Sequence, residues 1–231
     1  MTYSRKLGIF VKIPAPGQVK TRLVPPLEPD QACELYTAFL KDLFTRLPRL
    51  KKLSGTVFYA GTDAGNLTGL IPDRYALRPQ TGENLGARMV DAFEEMLTGE
   101  ASSAVLIGSD SPDIPLAFIK RAFQKLKNAD VVLGPAFDGG YYLIGMKRPI
   151  RPVFEGITWS EPTVMRDTLE RVRVANLSLS MLPPWYDVDS AESLRFLQTM
   201  LAAKKITRAD RLLHTERIIE RFVSASRRND A

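Results

Sequence analysis

Short apolar runs alternate along the chain with segments in which apolar residues recur every three or four positions. The runs predict strands at 6–11, 55–60, 103–108 and 130–134. The spaced segments predict helices at about 29–47, 84–98 and 116–127. Strands and helices in alternation are typical of an α/β fold with a mostly parallel sheet. Because LGIFV, AVLIG and DVVLG lack polar alternation, we expect these runs to form central strands that are buried on both faces.

The alternation changes after residue 134. Two glycines precede the run YYLIGM, and the short run NLSLS follows a helix predicted at about 161–173. Such a change is typical of a mixed edge on a parallel sheet. Two amphipathic helices are then predicted, at 189–203 and 207–223.

The composition is that of an ordinary soluble protein. Hydrophobic residues make up 45% of the 231 positions and charged residues 25%. These values favour one larger domain at 1–223, followed by a flexible tail at 224–231. A single cysteine, Cys33, excludes an internal disulfide, and zinc-ligand spacing is absent, so we expect a cytoplasmic protein. No apolar run approaches the ~18 residues of a membrane span.

The net charge of +6 has three possible meanings. Nucleic acid is one partner for a basic protein, but here the Lys and Arg residues are scattered and aromatic residues do not interleave with them. We therefore predict no nucleic-acid partner. A small phosphorylated ligand explains the excess as well as nucleic acid does, and a solvated basic surface explains it better than either.

Candidate chemistry lies in the loops after the three central strands. In open α/β sheets, ligands bind beyond the carboxyl ends of the strands. After the first strand, Gly17 permits close backbone approach to a ligand, while Lys20 and Arg22 supply charges that suit phosphate oxygens. The spacing is not that of a Walker loop. The alternative is a solvated turn with ordinary surface cations.

Two aspartates follow the strand at 103–108. Asp110 comes directly after it and suits Mg²⁺, because this ion binds one or two protein carboxylates together with substrate phosphates and water. Asp113 precedes Pro115, and we predict that it caps the next helix.

Two more aspartates precede the helix predicted at 189–203. Asp189 stands where the sequence DSAE resembles a capping box, which leaves Asp187 as the freer metal ligand. Either carboxylate is expected to complete the metal site.

The remaining candidates lie in glycine-bearing or aromatic loops. Asp138 precedes two glycines, a common hairpin signal, but its carboxylate would also serve to deprotonate an acceptor hydroxyl. Gly82 and Gly86 would let a flat base lie against the backbone, or else simply begin a helix with Asn84 as a cap. Trp159 is either a stacking surface or a hydrophobic plug.

Several ordered motifs together resemble a known superfamily. They are VKIPAPGQVKTRL, GSDSPDIP, GPAFDGGYYLIG, GITWS and DVDSAESL. The set is similar to the nucleotide-diphospho-sugar transferases, and more closely to a bacterial family of candidate glycosyltransferases, over about residues 7–200. This resemblance implies a single GT-A-like, Rossmann-related α/β domain with helices on both faces of a mixed, mostly parallel sheet.

The resemblance also implies roles for individual residues. Lys20 and Asp138 would be catalytic. The nucleotide and its phosphates would contact Pro14, Gly17, Lys20, Thr21, Arg22, Gly82, Asn84, Leu85, Gly86 and Ser109. The acceptor would contact Asp138, Gly139, Gly140, Tyr141 and Trp159. A Mg²⁺ or Mn²⁺ ion would be held by Asp110, Asp187 and Asp189.

Three functions fit these motifs. The first is transfer of a sugar from a nucleotide sugar to a small-molecule acceptor. The second is nucleotidyl transfer from an NTP to a phosphorylated substrate, which needs no protein base. The third is nucleotide binding without turnover, since Asp110 stands alone where many metal-dependent glycosyltransferases carry Asp-x-Asp.

Overall fold

The computed structural model describes residues 4–99, 101–207 and 210–229, and within them the chain forms seven strands and six α-helices. The strands are β1 (Ser4–Lys12), β2 (Ser54–Ala60), β3 (Ala76–Pro79), β4 (Ala101–Ile107), β5 (Val131–Pro135), β6 (Tyr141–Met146) and β7 (Leu179–Met181). The helices are α1 (Pro29–Arg46), α2 (Leu85–Met96), α3 (Leu116–Lys125), α4 (Val164–Val174), α5 (Ala191–Thr207) and α6 (Leu213–Asn229).

All seven strands form one sheet, in the order β3-β2-β1-β4-β6-β5-β7. β1 pairs in parallel with both β2 and β4, and β3 and β7 are parallel to their neighbours. Only β6 is antiparallel to the strands beside it. The mixed, mostly parallel sheet predicted from the sequence is confirmed.

Helices cover both faces of the sheet because successive side chains of a strand point to opposite sides. Ile9 and Val11 pack on the face that holds α1, α3, α5 and α6. Phe10 packs on the opposite face, where α2 and α4 lie. The central residues of β1, β4 and β5 are largely buried on both faces, which explains why the runs LGIFV, AVLI and VVLG lack polar positions.

The local sequence accounts for the ends of the site-bearing helices. Glu28 and Gln31 form a capping box at the start of α1, with Pro29 in the first turn. The Asn84 side chain accepts a hydrogen bond from the Ala87 backbone N–H at 2.9 Å, so the predicted cap of α2 is confirmed.

Four features differ from the sequence-based predictions. β3 was not predicted, since its four residues are all exposed and carry no alternation. β6 lies inside the sheet, between β4 and β5, rather than at a mixed edge. The strand predicted at 176–180 forms at Leu179–Met181. Helix α5 extends to Thr207, and α6 begins at Leu213 and continues to Asn229, beyond the predicted end at 223.

The predicted division into a domain at 1–223 and a flexible tail at 224–231 stays a prediction, and residues 230–231 lie outside the described residues. Within the described ranges, every helix is too short or too polar to cross a membrane.

Candidate active site

A cavity of 620 Å³ opens at the carboxyl ends of β1, β2 and β4. Its walls include three parts of the chain that the topology brings together. Lys12 ends β1 and Arg22 follows that strand, Ser109 and Asp110 follow β4, and the turn between β5 and β6 adds further polar groups. This is the edge of the sheet where the sequence predicts a ligand site.

Lys20 joins two aspartates that are far apart in the sequence. Its Nζ atom donates hydrogen bonds to Oδ1 of Asp110 and, at 2.8 Å, to Oδ1 of Asp189. The Lys20 side chain is only 2% exposed, whereas those of Asp110 and Asp189 are 45% and 37% exposed. The backbone of Lys20 is left-handed, with φ 51°, and this directs its side chain under the cavity floor. Lys20 and Asp110, which follow different predicted strands, are therefore in direct contact.

Burial by itself would lower the pKa of the Lys20 ammonium, but the charges of Asp110 and Asp189 outweigh it and raise that pKa. Desolvation also opposes ionisation of Asp110. The Lys20 charge overcomes this effect, with smaller contributions from Lys12 and Arg22, and lowers the pKa of Asp110. Lys20 and Asp110 therefore form a charged pair.

The charged neighbours of Asp187 are acids, whereas those of Asp110 are cations. Ser111 Oγ donates a hydrogen bond to its Oδ1 atom. Burial, together with the nearby charges of Asp110, Asp138 and Asp189, nevertheless raises the pKa of Asp187 to about 7. Asp187 also lines the cavity. It is thus a carboxylate that an added cation would stabilise in its ionised form.

These carboxylates do not form a complete metal centre. No cluster of three or more His, Cys, Asp or Glu side chains is positioned to hold a metal within the described ranges. Asp110 and Asp187 nevertheless face one cavity and offer only oxygen donors. That donor set fits a hard divalent cation whose other ligands are phosphate oxygens and water.

Three basic side chains line the same cavity: those of Lys12, Arg22 and Arg88. Of these three, the sequence motifs predicted only Arg22 as a phosphate contact. Lys12 is the last residue of β1, and Arg88 is held in place by a 3.1 Å hydrogen bond from its Nε to the Gly82 carbonyl. Lys12 could have been identified from its position at a strand end, whereas Arg88 reads as an ordinary helix residue.

A buried hydrogen-bond chain fixes the floor near Asp110. The Tyr36 hydroxyl accepts from the Lys12 backbone N–H at 2.9 Å and lies 2.8 Å from Ser109 Oγ. Both Tyr36 and Ser109 are buried and both line the cavity. Sequence reasoning missed Tyr36 because it lies on the apolar stripe of α1, which predicts only core packing.

The predicted acceptor residues surround the turn between β5 and β6. Asp138 accepts a 2.9 Å hydrogen bond at Oδ1 from the Gly140 N–H, so its turn-forming role is present. Its carboxylate is exposed and lines the cavity, as do Gly140 and Tyr141. Gly139 has φ 91°, and an added Cβ would meet the Pro162 carbonyl oxygen at 2.1 Å. It is therefore required by the backbone.

The segment from Gly82 to Gly86 lies mainly on a second cavity, of 470 Å³, with Leu85 on the first. Trp159 lines both cavities. An added Cβ on Gly86 would meet Trp159 Cζ2 at 2.5 Å, so the indole packs directly against the start of α2. This favours the hydrophobic-plug interpretation of Trp159 while leaving one edge at the main cavity.

Other predicted phosphate contacts lie outside the lining of either cavity. Thr21 and Gly17 are exposed, and Pro14 is half-buried. Lys20 lies beneath the lining carboxylates. Of the three basic residues that line the main cavity, Lys12 and Arg88 were therefore not among the predicted phosphate contacts.

The predicted helix cap at Asp113 is wrong, and the alternative in which Asp189 caps a helix is not what the structure shows. Pro115, not Asp113, is the N-cap residue of α3, and the Asp113 side chain instead accepts hydrogen bonds from Trp185 and Tyr186. At α5, the Ser193 backbone N–H donates to Ser190 Oγ at 3.2 Å, while the Asp189 carboxylate binds Lys20. Both aspartates have partners that are distant in sequence.

Comparison with known proteins supports the fold and identifies relatives. A family described as "Uncharacterized protein conserved in bacteria (DUF2064)" matches residues 43–161. The crystal structure of a "putative nucleotide-diphospho-sugar transferase from Desulfovibrio desulfuricans G20" is 34% identical, covers 98% of both chains and superposes with a TM-score of 0.87. No curated protein matches the chain.

More distant structures share only the fold. 4-Diphosphocytidyl-2C-methyl-D-erythritol synthase from Anaerococcus prevotii DSM 20548 is 8% identical, with a TM-score of 0.60 over 87% of this chain and 97% of that one. CMP:2-keto-3-deoxy-manno-octonic acid synthetase, solved with CTP, is 12% identical, with a TM-score of 0.55 over 87% of this chain and 99% of that one.

Proposed function

This chain belongs to the DUF2064 family of bacterial proteins, and we propose that it is a transferase that moves a sugar from a nucleotide sugar to a hydroxyl acceptor. The relative that is 34% identical over 98% of both chains is described as a "putative nucleotide-diphospho-sugar transferase", which supports the use of a nucleotide sugar.

One observation carries the proposal. A single 620 Å³ cavity combines the aspartates Asp110 and Asp187 with the cations Lys12 and Arg22. A diphosphate between a divalent ion and two basic side chains would have its charge neutralised from both sides. An uncharged substrate would leave the charges of both groups without a counter-charge.

We assign the Mg²⁺ or Mn²⁺ ion to Asp110 and Asp187, with Asp189 close to them. When bound, the ion would neutralise charge on the phosphate oxygens. Lys20 contacts Asp110 and Asp189 rather than the cavity, so in this proposal it acts on the phosphates through these carboxylates.

In the transfer step, the acceptor oxygen forms a bond to the anomeric carbon of the sugar while the bond from that carbon to the diphosphate oxygen breaks. The electron pair leaves with the diphosphate, whose charge Lys12 and Arg22 would stabilise. The acceptor proton would pass to Asp138, whose exposed carboxylate lines the cavity beside Tyr141.

Nucleotidyl transfer is the second candidate, and the number of cations favours it. Lys12, Arg22 and Arg88 together provide three positive charges at the cavity, which suits a triphosphate. In that reaction a substrate phosphate oxygen bonds to the α-phosphorus of an NTP and pyrophosphate leaves. The attacking phosphate is already ionised, so Asp138 would have no proton to accept.

A thermal-shift panel tests the proposed ligand class. Nucleoside diphosphates, triphosphates and nucleotide sugars are each added with Mn²⁺ or with a chelator. At least one nucleotide should raise the melting temperature by several degrees with Mn²⁺, because a ligand that binds only the folded state stabilises it. An unchanged melting temperature across the panel would contradict nucleotide binding of every kind.

Product analysis separates the reactions. Sugar transfer releases a nucleoside diphosphate, nucleotidyl transfer releases pyrophosphate, and binding without turnover releases neither. We expect Asp138→Asn to lower sugar transfer at least about 100-fold, the usual contribution of a general base, with little change in nucleotide binding. A wild-type rate in Asp138→Asn would remove this residue as the base.

A further inference from the structure

Asp113 is a buried acid that the proposed reaction does not use. Its side chain is 0% exposed and lies outside the lining of the cavity. A buried carboxylate is a poor source of stability, because the cost of removing it from water offsets most of the attraction to its partners. Its contacts therefore need another explanation.

The partners of Asp113 directly precede the later aspartates of the site. Asp113 Oδ1 accepts a hydrogen bond from Trp185 Nε1 at 3.2 Å, and Oδ2 accepts one from the Tyr186 hydroxyl at 2.8 Å. Burial, and then the charge of Asp113, raise the pKa of Tyr186, so the hydroxyl keeps the proton that it donates. Asp187 is the next residue along the chain.

Three further contacts join the same segments. The Val188 backbone N–H donates to the Asp110 carbonyl at 2.9 Å. Ser111 Oγ lies 2.9 Å from the Tyr186 carbonyl and also donates to the Asp187 carboxylate. The segment 110–113 is thus connected by five hydrogen bonds to the segment 185–188, and each segment carries one proposed metal ligand.

Aromatic packing holds the segment 185–188 against helices α3 and α5. Trp185 lies edge-on to Phe118 of α3 at 5.6 Å, and Tyr186 lies edge-on to Phe196 of α5 at 4.8 Å. Lys204 Nζ, also from α5, approaches Asp113 Oδ2 at 3.6 Å. Asp113 is therefore the polar centre of a junction between the β4 loop and the start of α5.

We propose that Asp113 is a positioning residue that sets the separation of the Asp110 and Asp187 carboxylates through Trp185 and Tyr186. The proposal rests on the proposed function in one respect, namely that these carboxylates hold a divalent cation. Residues that orient metal ligands affect affinity strongly without touching the ion.

The test compares Asp113→Asn and Tyr186→Phe with Asp42→Asn. Asp42 is a matched control, since it is also a buried acid that accepts two hydrogen bonds, from the backbone N–H groups of His214 and Thr215 on α6. Tyr186→Phe removes one donor to Asp113 but keeps the ring on Phe196. This variant stands in if Asp113→Asn does not fold.

Two quantities are measured for each protein: Mn²⁺ affinity, from the electron paramagnetic resonance signal of free Mn²⁺ with and without inorganic pyrophosphate, and the free energy of unfolding in urea with a chelator. We expect Asp113→Asn to weaken Mn²⁺ binding about tenfold and Tyr186→Phe to weaken it less. Asp42→Asn should lose stability while keeping wild-type Mn²⁺ affinity.

Unchanged Mn²⁺ affinity in both Asp113→Asn and Tyr186→Phe, with a loss of stability like that of Asp42→Asn, would overturn the positioning role and leave the proposed function intact. A wild-type protein that binds no Mn²⁺ in either condition would contradict the metal site itself, and with it this inference. The wild-type measurement thus distinguishes the two failures.

Discussion

At the scale of single residues, the site is organised by charge balance. Lys20 is fixed between Asp110 and Asp189, so those two carboxylates have a resident cation. Asp187 has only the Ser111 hydroxyl and lies near other acids, which is why its pKa rises to about 7. Asp187 is therefore an acid of this site whose charge no cation among its described neighbours compensates.

This imbalance predicts a pH dependence of stability. With a chelator present, folded Asp187 keeps its proton up to pH of about 7, while in the unfolded chain it ionises near its ordinary value of 3.8. The stabilisation from this group is thus complete below that ordinary value and is lost as pH rises toward 7. Asp187→Asn lacks this loss. We compare the free energies of unfolding of the two proteins. Relative to their difference at pH 4, the value for Asp187→Asn above pH 7 should exceed that of the wild type by on the order of 2 kcal/mol.

Urea unfolding of the wild type and Asp187→Asn, measured with a chelator between pH 4 and 8, checks this expectation. Parallel stability curves for the two proteins would show that Asp187 ionises normally in the folded state. Addition of Mn²⁺ at pH 8 should make the wild type the more stable of the two proteins. The wild type keeps both carboxylate ligands and is therefore stabilised more by the bound ion.

The positions of site residues were predictable where a strand end determined them. Lys20, Arg22 and Asp110 follow predicted strands, and parallel strands bring their carboxyl ends to one edge. Asp113 was not predictable in this way. Its hydrogen-bond partners are 72 and 73 residues further along the chain, and a helix cap satisfied its local sequence equally well.

At the scale of elements, helix α2 and the loop that carries Trp159 form one wall between the two cavities. Gly86, the second residue of α2, allows the indole to lie directly on the helix backbone. Alanine would favour the helix by about 1 kcal/mol over glycine in isolation. Here its Cβ would occupy the space of the Trp159 ring, so the contact, rather than the helix, requires glycine.

A double-mutant cycle tests this wall. We expect Gly86→Ala to destabilise the wild type by about 1–2 kcal/mol, and to be neutral or stabilising in a Trp159→Ala background. Urea unfolding of the four proteins gives the coupling energy. An equal effect of Gly86→Ala in both backgrounds would mean that Trp159 is not what restricts this position.

One strand was not predicted and another was predicted at the wrong place in the sheet, and both differences have physical reasons. β3 is exposed along its whole length, so no apolar pattern marks it. β6 follows the turn at Asp138 and pairs with both β5 and β4, which places an antiparallel strand inside the sheet. Apolar runs reveal burial on two faces, but strand order depends on pairings between distant segments that periodicity does not encode.

At the scale of the whole molecule, the topology explains why one cavity receives residues from β1, from β4 and from β6 with the turn that precedes it. The parallel strands β1 and β4 are neighbours, and the hairpin of β5 and β6 returns its turn to the same edge. The α/β class was therefore predictable from alternation alone. The cavity-facing cations were predictable only in part, since Lys12 stands at a strand end whereas Arg88 carries no local signal that separates it from surface residues.

In the proposed function, a nucleoside diphosphate and a divalent cation bind together in this cavity. Anomalous diffraction from crystals grown with Mn²⁺ and the nucleoside diphosphate that gives the largest thermal shift tests it most directly. We predict a Mn²⁺ peak within coordination distance of Asp110 and Asp187, with the diphosphate between the ion and Arg22. A Mn²⁺ ion or nucleotide bound elsewhere, with this cavity empty, would contradict the claim.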